Sequence, residues 1–273
     1  MTIEELIIYG KQFLHSVEVN LLLSRVTSYD SLDLINHLND KLDDEQVKQF
    51  KALVKARKED KPLQYILGDT NFYGLNIMVN EDVLIPRFET EELVSNMIEL
   101  INNNFVEKNI KILDLCTGSG AIGLKLKSVF PESVVTLSDI SGKALLVASK
   151  NSDNLGLDVE IINSDLFDKI NDKYDVIISN PPYIRDDEEI EDVVKNNEPH
   201  LALYAGVDGL DYYRRILKDI KNYLKDKYII GFEIGSDQRE AIVKIINDNL
   251  DNVDIVCKQD MSLKDRMIFI ISK

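Results

Sequence analysis

The 273-residue chain is short of the residues that mark several large function classes. It has two cysteines, Cys116 and Cys257, far apart and without the spacing of metal ligands. That excludes a disulfide framework and a cysteine-built metal centre, and it points to a reducing compartment. Basic residues are outnumbered, with 32 Lys and Arg against 48 Asp and Glu and a formal charge of −16. Such a chain is poorly suited to holding a phosphate backbone by charge alone, so no direct nucleic-acid partner is expected. No apolar run approaches the roughly 18 residues of a membrane span, so no membrane association is expected. The first residues, MTIEELIIYG, carry acids where a secretory signal carries bases. There is no internal repeat, and no low-complexity tract beyond short acidic runs such as residues 186–189. What remains is a cytoplasmic protein without a metal, expected to be monomeric.

Enough is present to build a core: 44% of the residues are hydrophobic, and the length suits one large domain plus a small one. In residues 1–63 apolar side chains recur at helical spacing: Ile3, Leu6 and Ile7; Phe13, Leu14 and Val17; Leu32, Ile35 and Leu38; Val47, Phe50, Leu53 and Val54. Asp30 or Ser31, and Asp43 or Asp44, are candidate helix N-caps. Pro62 closes this helical bundle. Residues 64–86 change character, with aromatic and β-branched residues between Gly68, Gly74 and Asn80-Glu81, which predicts a β-hairpin linker. From residue 87 onward strands and helices alternate. Strands are predicted at 110–115, 134–138, 159–162, 174–179 and 228–233, and helices from Thr90 and near 121–129, 143–154, 212–224 and 239–250. Final strands at 253–257 and 266–271 have too short a connection for a parallel crossover. The prediction is an α/β fold, a doubly wound, mostly parallel seven-stranded sheet with an antiparallel C-terminal strand.

Chemistry-bearing residues gather at predicted strand ends. Asp114-Leu-Cys116-Thr117-Gly118-Ser119-Gly120 leads from a strand into a helix, where glycines let the backbone approach a ligand. The next strand ends in Asp139, at the distance from Gly120 where an acid hydrogen-bonds ribose hydroxyls. Asp165, with Leu166 and Phe167, follows the third strand and can supply an adenine slot with one polar partner. The full three-glycine dinucleotide pattern is missing, which speaks against a nicotinamide cofactor. Cys116 has no histidine near it in sequence and reads as a small residue closing a buried strand.

The fourth strand runs into Asn180-Pro181-Pro182-Tyr183. Two prolines stiffen this turn before any substrate arrives. The side-chain oxygen of Asn180 and the carbonyl of Pro181 offer two acceptors for the two hydrogens of one planar NH2 group, and Tyr183 is expected to cover its flat face. A neutral Asn orients an amide without burying a charge. Toward an already activated group donor, alignment would be the main task left, and no tuned general base would be required.

These residues resemble the class I S-adenosylmethionine methyltransferases that act on planar nitrogens. The stretches Tyr65-Ile-Leu-Gly68, Phe72-Tyr-Gly74, Leu84-Ile-Pro-Arg87, Glu89-Thr-Glu91, Glu198-Pro-His-Leu-Ala-Leu203, Gly206 to Tyr213 and Phe232-Glu-Ile-Gly235 narrow this to a likeness with the protein-(glutamine-N5) methyltransferases of bacterial peptide-chain release factors. The resemblance implies S-adenosyl-L-methionine as donor and the glutamine of the Gly-Gly-Gln motif in class-I release factors as acceptor. It also implies a donor site of Cys116, Thr117, Gly118, Ser119, Gly120, Asp139, Asp165, Leu166 and Asn180, and a catalytic, substrate-holding loop of Asn180, Pro181, Pro182 and Tyr183. Residues 1–63 would grip the protein partner, and residues 87–273 would carry the chemistry. Three positions depart from the family pattern. Cys116 replaces a frequent Gly, so a positive φ there would be costly. Phe88 replaces a frequent Pro, and Leu166 replaces an aromatic at the adenine slot. Competing readings are a nucleic-acid methyltransferase acting on an exocyclic amino group, disfavoured by charge, and a donor-binding sensor, which would not need the Asn-Pro-Pro-Tyr turn.

Overall fold

A computed structural model describes residues 1–273 as two compact units. Met1–Asp69 with Glu191–Asn197 form the first, and Thr70–Ile190 with Glu198–Lys273 the second. In the first unit α1 (Ile3–Lys11), α2 (Ser16–Thr27), α3 (Ser31–Asn36), α4 (Asp44–Lys58) and α5 (Leu63–Leu67) follow one another. Thr2, Asp30 and Asp43 cap their helices through capping boxes, each side chain accepting from backbone N–H groups of the first turn. The core is Ile3, Leu6, Val19, Leu22, Leu23, Leu34, Phe50 and Val54. Part of the predicted apolar pattern lies outside it: Phe13, Val17, Leu32 and Ile35 are exposed. Phe13, Leu14 and Val17 straddle the turn between α1 and α2, so their spacing does not mark one helix face.

The predicted hairpin is shorter than residues 64–86. Its first part is α5, which ends where Gly68 takes φ 84° and donates its N–H to the Gln64 carbonyl. The hairpin proper is β1 (Asp69–Phe72) and β2 (Leu75–Met78). Its two turn residues, Tyr73 and Gly74, both have positive φ, the twist that two-residue hairpins favour.

The rest of the second unit runs α6 (Phe88–Asn104), β3 (Lys111–Leu115), α7 (Ala121–Val129), β4 (Val134–Asp139), α8 (Gly142–Leu155), β5 (Glu160–Asn163) and β6 (Tyr174–Ser179). After α9 (Asp192–Asn197), which clusters with the first unit, come α10 (Asp211–Asp219), β7 (Leu224–Glu233), α11 (Arg239–Asn249), β8 (Val253–Gln259) and β9 (Asp265–Ser272). The sheet order is β5-β4-β3-β6-β7-β9-β8, with β9 antiparallel to both neighbours and every other pairing parallel. This is the predicted fold, and the reversed strand sits between β7 and β8. Central strands are apolar along nearly their whole length because helices cover both faces.

The register places the site. Strand order reverses between β3 and β6, the position at which open α/β sheets bind ligands beyond the carboxyl ends of their strands. Leu115 pairs with Ser138 and with Ser179, and Ser179 pairs with Phe232. One residue further on, Asp139, Cys116, Asn180 and Glu233 therefore stand in a row along the sheet's carboxyl edge.

Candidate active site

A crevice with about 970 Å³ of empty space, solvent-open volume included, lies over this row. Cys116, Thr117, Gly118, Ser119, Asp139, Asp165, Leu166, Asn180 and Pro182 all border it. Gly120, Pro181 and Tyr183 do not. Gly120 instead starts α7 at φ 84°, where an added Cβ would lie 3.1–3.2 Å from Leu124, Leu137 and Ala148.

The glycine turn is held from below. Asp114 is fully buried, and its Oδ2 accepts from the Thr117 hydroxyl at 2.5 Å and the Gly123 N–H at 2.9 Å. Its Oδ1 has no partner. Burial pushes this carboxyl up to about 7, against those two hydrogen bonds. Cys116 takes φ 61°, so the turn uses the left-handed conformation despite the side chain, at a cost of about 1–2 kcal/mol. Burial, then the Asp139 carboxylate, push its thiol far above the usual range, which leaves it unreactive.

Asp139 is anchored at both oxygens: Oδ2 accepts from Gly118 N–H at 2.9 Å and Oδ1 from Ser141 N–H at 2.8 Å. Each oxygen keeps a further lone pair for a ligand diol. Asp165 is paired with Arg215 at 2.8 Å. Leu166, at φ 47°, turns into the crevice, but Phe167 does not. It stacks on Tyr223 with ring centroids 4.3 Å apart, in the core, so the expected adenine trio is a pair.

The lining tests the donor. Three carboxylates, Asp82, Asp139 and Asp165, border the crevice, and no Lys, Arg or His does. That set suits a nucleoside carrying positive charge and offers no basic side chain to a pyrophosphate, so the residues fit S-adenosylmethionine.

At the other end of the row a buried polar chain supports the Asn-Pro-Pro-Tyr turn. The Asn180 Nδ2 donates to the Thr90 hydroxyl at 3.3 Å, and that hydroxyl donates to Glu233 Oε2 at 2.6 Å. Tyr183 corrects an expectation. Its hydroxyl reaches Glu233 Oε1 at 3.3 Å, and its ring packs against the core instead of covering a substrate. Burial, with the Glu233 carboxylate beside it, pushes the Tyr183 phenol up, so it stays protonated as a donor.

Family models match in two places: the PrmC N-terminal domain over residues 5–68 and the methyltransferase small domain over residues 91–198. A release factor glutamine methyltransferase of Streptococcus pneumoniae is 39% identical over 270 residues, 98% of this chain and 94% of that one. The Bacillus subtilis protein of the same name is 39% identical, over 91% of this chain and 88% of its own. The chain belongs to the release factor glutamine methyltransferase family. The fold is shared more widely. A T. thermophilus 16S rRNA N2 G1207 methyltransferase, solved with AdoMet and guanosine, superposes with a TM-score of 0.54 at 14% identity, covering 75% of this chain and 50% of that one. As in this family generally, the enzyme uses S-adenosylmethionine.

Within that family frame, several structural residues went unread in the sequence. Arg87 and Glu198, each open to more than one role from sequence, are partners 2.5 Å apart. Glu198 also accepts from Ile85 N–H, so it ties down Pro86 and Pro199, which border the crevice. Phe88 is the first residue of α6, a position where proline is favoured but not required. Gln238 grips the far end of the Asn-Pro-Pro-Tyr turn, donating from Nε2 to the carbonyls of Tyr183 at 2.8 Å and Gly209 at 3.3 Å.

Asn151, fully buried on α8, accepts from Met78 N–H and donates to the carbonyls of Met78 and Ser119. It thereby joins the hairpin to the glycine turn. Its signal was a polar residue on the stripe Ala144, Ala148, Asn151. Asn151→Ala should lower unfolding free energy by about 3 kcal/mol, roughly 1 kcal/mol per lost bond, read in urea titrations.

Asp114 gives a second test. Its carboxyl titrates higher in the folded chain than in the unfolded one, so folding takes up a proton between those values. Stability from this group is fully present below the unfolded value near 3.8 and is lost as pH rises through about 7. Without donor, wild type minus Asp114→Asn should show this decline, on the order of 4 kcal/mol at full burial. Parallel stability–pH curves would rule it out.

Proposed function

We propose that this protein transfers the methyl group of S-adenosylmethionine to the side-chain amide nitrogen of the glutamine in the Gly-Gly-Gln motif of class-I release factors. The carrying observation is Asn180. Its carboxamide stands in the crevice wall with its NH2 already committed to Thr90, which leaves its oxygen for a substrate N–H. In this reading the carbonyl of Pro181, which is buried between the crevice-lining Asn180 and Pro182 and does not itself border the crevice, is the second acceptor. Together they hold a planar carboxamide NH2 and favour the pyramidal nitrogen that methylation requires. S-adenosylmethionine supplies an activated methyl group. Asp139 holds the ribose, Asp165 and Leu166 the adenine, and residues 116–119 the remainder of the donor, with Gly120 behind them starting α7. No tuned base is needed, because the amide proton is lost after the nitrogen becomes cationic.

Residues 1–63 are the partner-gripping domain in this reading, residues 64–86 the linker and residues 87–273 the catalytic domain. The protein acts as a monomer in the cytoplasm, where release factors work. No helix is long and apolar enough to cross a membrane. The nucleic-acid reading is disfavoured by the charge of −16 and by a crevice bordered by three acids and no base. Transfer of labelled methyl to purified release factor, beside a factor with its Gly-Gly-Gln glutamine replaced and beside DNA and RNA, decides the matter. Label should enter only the intact factor. Label in nucleic acid, or in the replaced factor, overturns the proposal.

A further inference from the structure

Asn180 can help only if its carboxamide points the right way. The two ends of a carboxamide have nearly the same shape but opposite hydrogen-bonding character. With the oxygen facing the crevice, the residue accepts from an NH2. Turned by 180°, it offers its own NH2 and suits a carbonyl or carboxylate. Nothing in the shape of the turn separates the two.

The buried chain behind it does. Glu233 closes β7, and its side chain is almost wholly buried. Burial raises the Glu233 carboxyl, opposed by the Thr90 hydrogen bond, the nearby Arg266 and the Tyr183 hydrogen bond. With one oxygen facing the Thr90 hydroxyl and the other the Tyr183 hydroxyl it acts as an acceptor, and a threonine hydroxyl has a single proton. The 2.6 Å contact to Glu233 Oε2 takes that proton, at a length typical of a hydroxyl on a carboxylate. What Thr90 has left is lone pairs, which only the NH2 of Asn180 can use. The acceptor end of Asn180 is thereby turned away from Thr90. Tyr183 donates to the other carboxylate oxygen of Glu233, and the buried Tyr213 hydroxyl donates to the Glu233 backbone carbonyl at 2.7 Å, so both the side chain and the backbone of this residue are held. Since Tyr183 lies three residues after Asn180, both ends of the turn are referred to the same carboxylate.

We propose that Thr90 and Glu233 are positioning residues that fix the polarity of Asn180, and thereby make the site select a carboxamide over a carboxylate, glutamine over glutamate. This rests on the reading of Asn180 as the acceptor for the substrate amide. Thr90 also borders the crevice, whereas Glu233 does not and reaches Asn180 only through Thr90. The discrimination matters chemically, because glutamate at the same position has nearly the same size as glutamine but is anionic and has no N–H to donate, so it meets an acceptor with an acceptor.

The test uses the full chain with release factor as substrate and a Gly-Gly-Glu release factor as competitor. Thr90→Val keeps the branched shape and removes the hydroxyl, whereas Thr90→Ser keeps the hydroxyl. For Thr90→Val, kcat should fall about tenfold or more, the effect of losing one buried hydrogen bond in a transition state. Donor affinity should change by less than about threefold, since Asp139 and the glycine turn are untouched. The ratio of the competitor's Ki to the substrate's KM should drop about fivefold or more, because part of the Asn180 population now offers a donor. Thr90→Ser should restore both rate and ratio. Glu233→Gln, whose amide can either donate to or accept from Thr90, should shift the ratio in the same direction, and it decides the question if Thr90→Val fails to fold. A rate loss with an unchanged ratio in these variants, or a Thr90→Ser protein as impaired as Thr90→Val, overturns the relay alone. Absence of methyl transfer to release factor by the parent protein overturns the proposed function and the relay with it.

Discussion

Asn180→Ala should slow methyl transfer by about a hundredfold to a thousandfold, the loss seen when one preorganised hydrogen-bonding group is removed from a reacting centre. Donor affinity should change by less than about threefold, because the groups facing the nucleoside come from β3, β4 and the loop after β5. Single-turnover rates with release factor, set beside calorimetric titration of the donor, separate the two effects. The physical reason lies in the substrate. An amide nitrogen shares its lone pair with its carbonyl, so it must be both aligned and partly pyramidalised before it reacts, and a fixed acceptor at one of its hydrogens does both. Alanine leaves the Thr90 hydroxyl without its Asn180 partner but disturbs no core packing, so the thermal midpoint should move little. A donor affinity that falls as far as the rate would remove Asn180 from the substrate side of the mechanism.

Gly209→Ala should be a damaging single-methyl change beside the Asn-Pro-Pro-Tyr turn. Gly209 takes φ 72°, and an added Cβ would lie 2.4 Å from the Tyr183 carbonyl oxygen and 2.6 Å from the Gln238 Nε2. Neither atom is free to yield, since the Gln238 amide donates to that same carbonyl. The left-handed penalty and the overlap together should cost about 3 kcal/mol of stability. The activity of the folded fraction should fall about tenfold or more, because the catalytic turn must shift to clear the overlap. Gly74→Ala is the matched control: φ is 84°, yet nothing lies within 4 Å of the added atom. It should lose only the backbone part, about 1 kcal/mol, and no activity. Equal losses from both variants in guanidinium titrations would show that the crowding at Gly209 is relieved without consequence.

The parts of the site that depend on neighbours in sequence were legible from the start. Asp114, Gly118 and Gly120 sit in a strand-to-helix turn, Asp139 ends the following strand, and Asn180-Pro181-Pro182-Tyr183 ends another. Periodicity locates strands, and in a parallel sheet their carboxyl ends share one edge, so a sequence that marks strand ends marks the site. Side-chain direction beyond a strand end follows no period. That is why Tyr183 was expected over a substrate and instead reaches Glu233, and why Phe167 was expected against adenine and instead stacks on Tyr223. The apolar residues on either side of the α1–α2 turn misled in the same way, since helical spacing has no meaning once the chain turns.

By itself, the sequence determined the order of strands and helices, the acidic balance that disfavours a nucleic-acid substrate, and the glycine and Asn-Pro-Pro-Tyr turns at strand ends. All of these rest on local patterns or on composition. Tertiary structure alone decided which partners hold the Asn-Pro-Pro-Tyr turn in place. Arg87 meets Glu198 across 111 positions, and Thr90 meets Glu233 across 143. Such pairings are set by how helices, loops and strands from distant parts of the chain pack together, and a hydrogen bond between residues that far apart leaves no spacing to read.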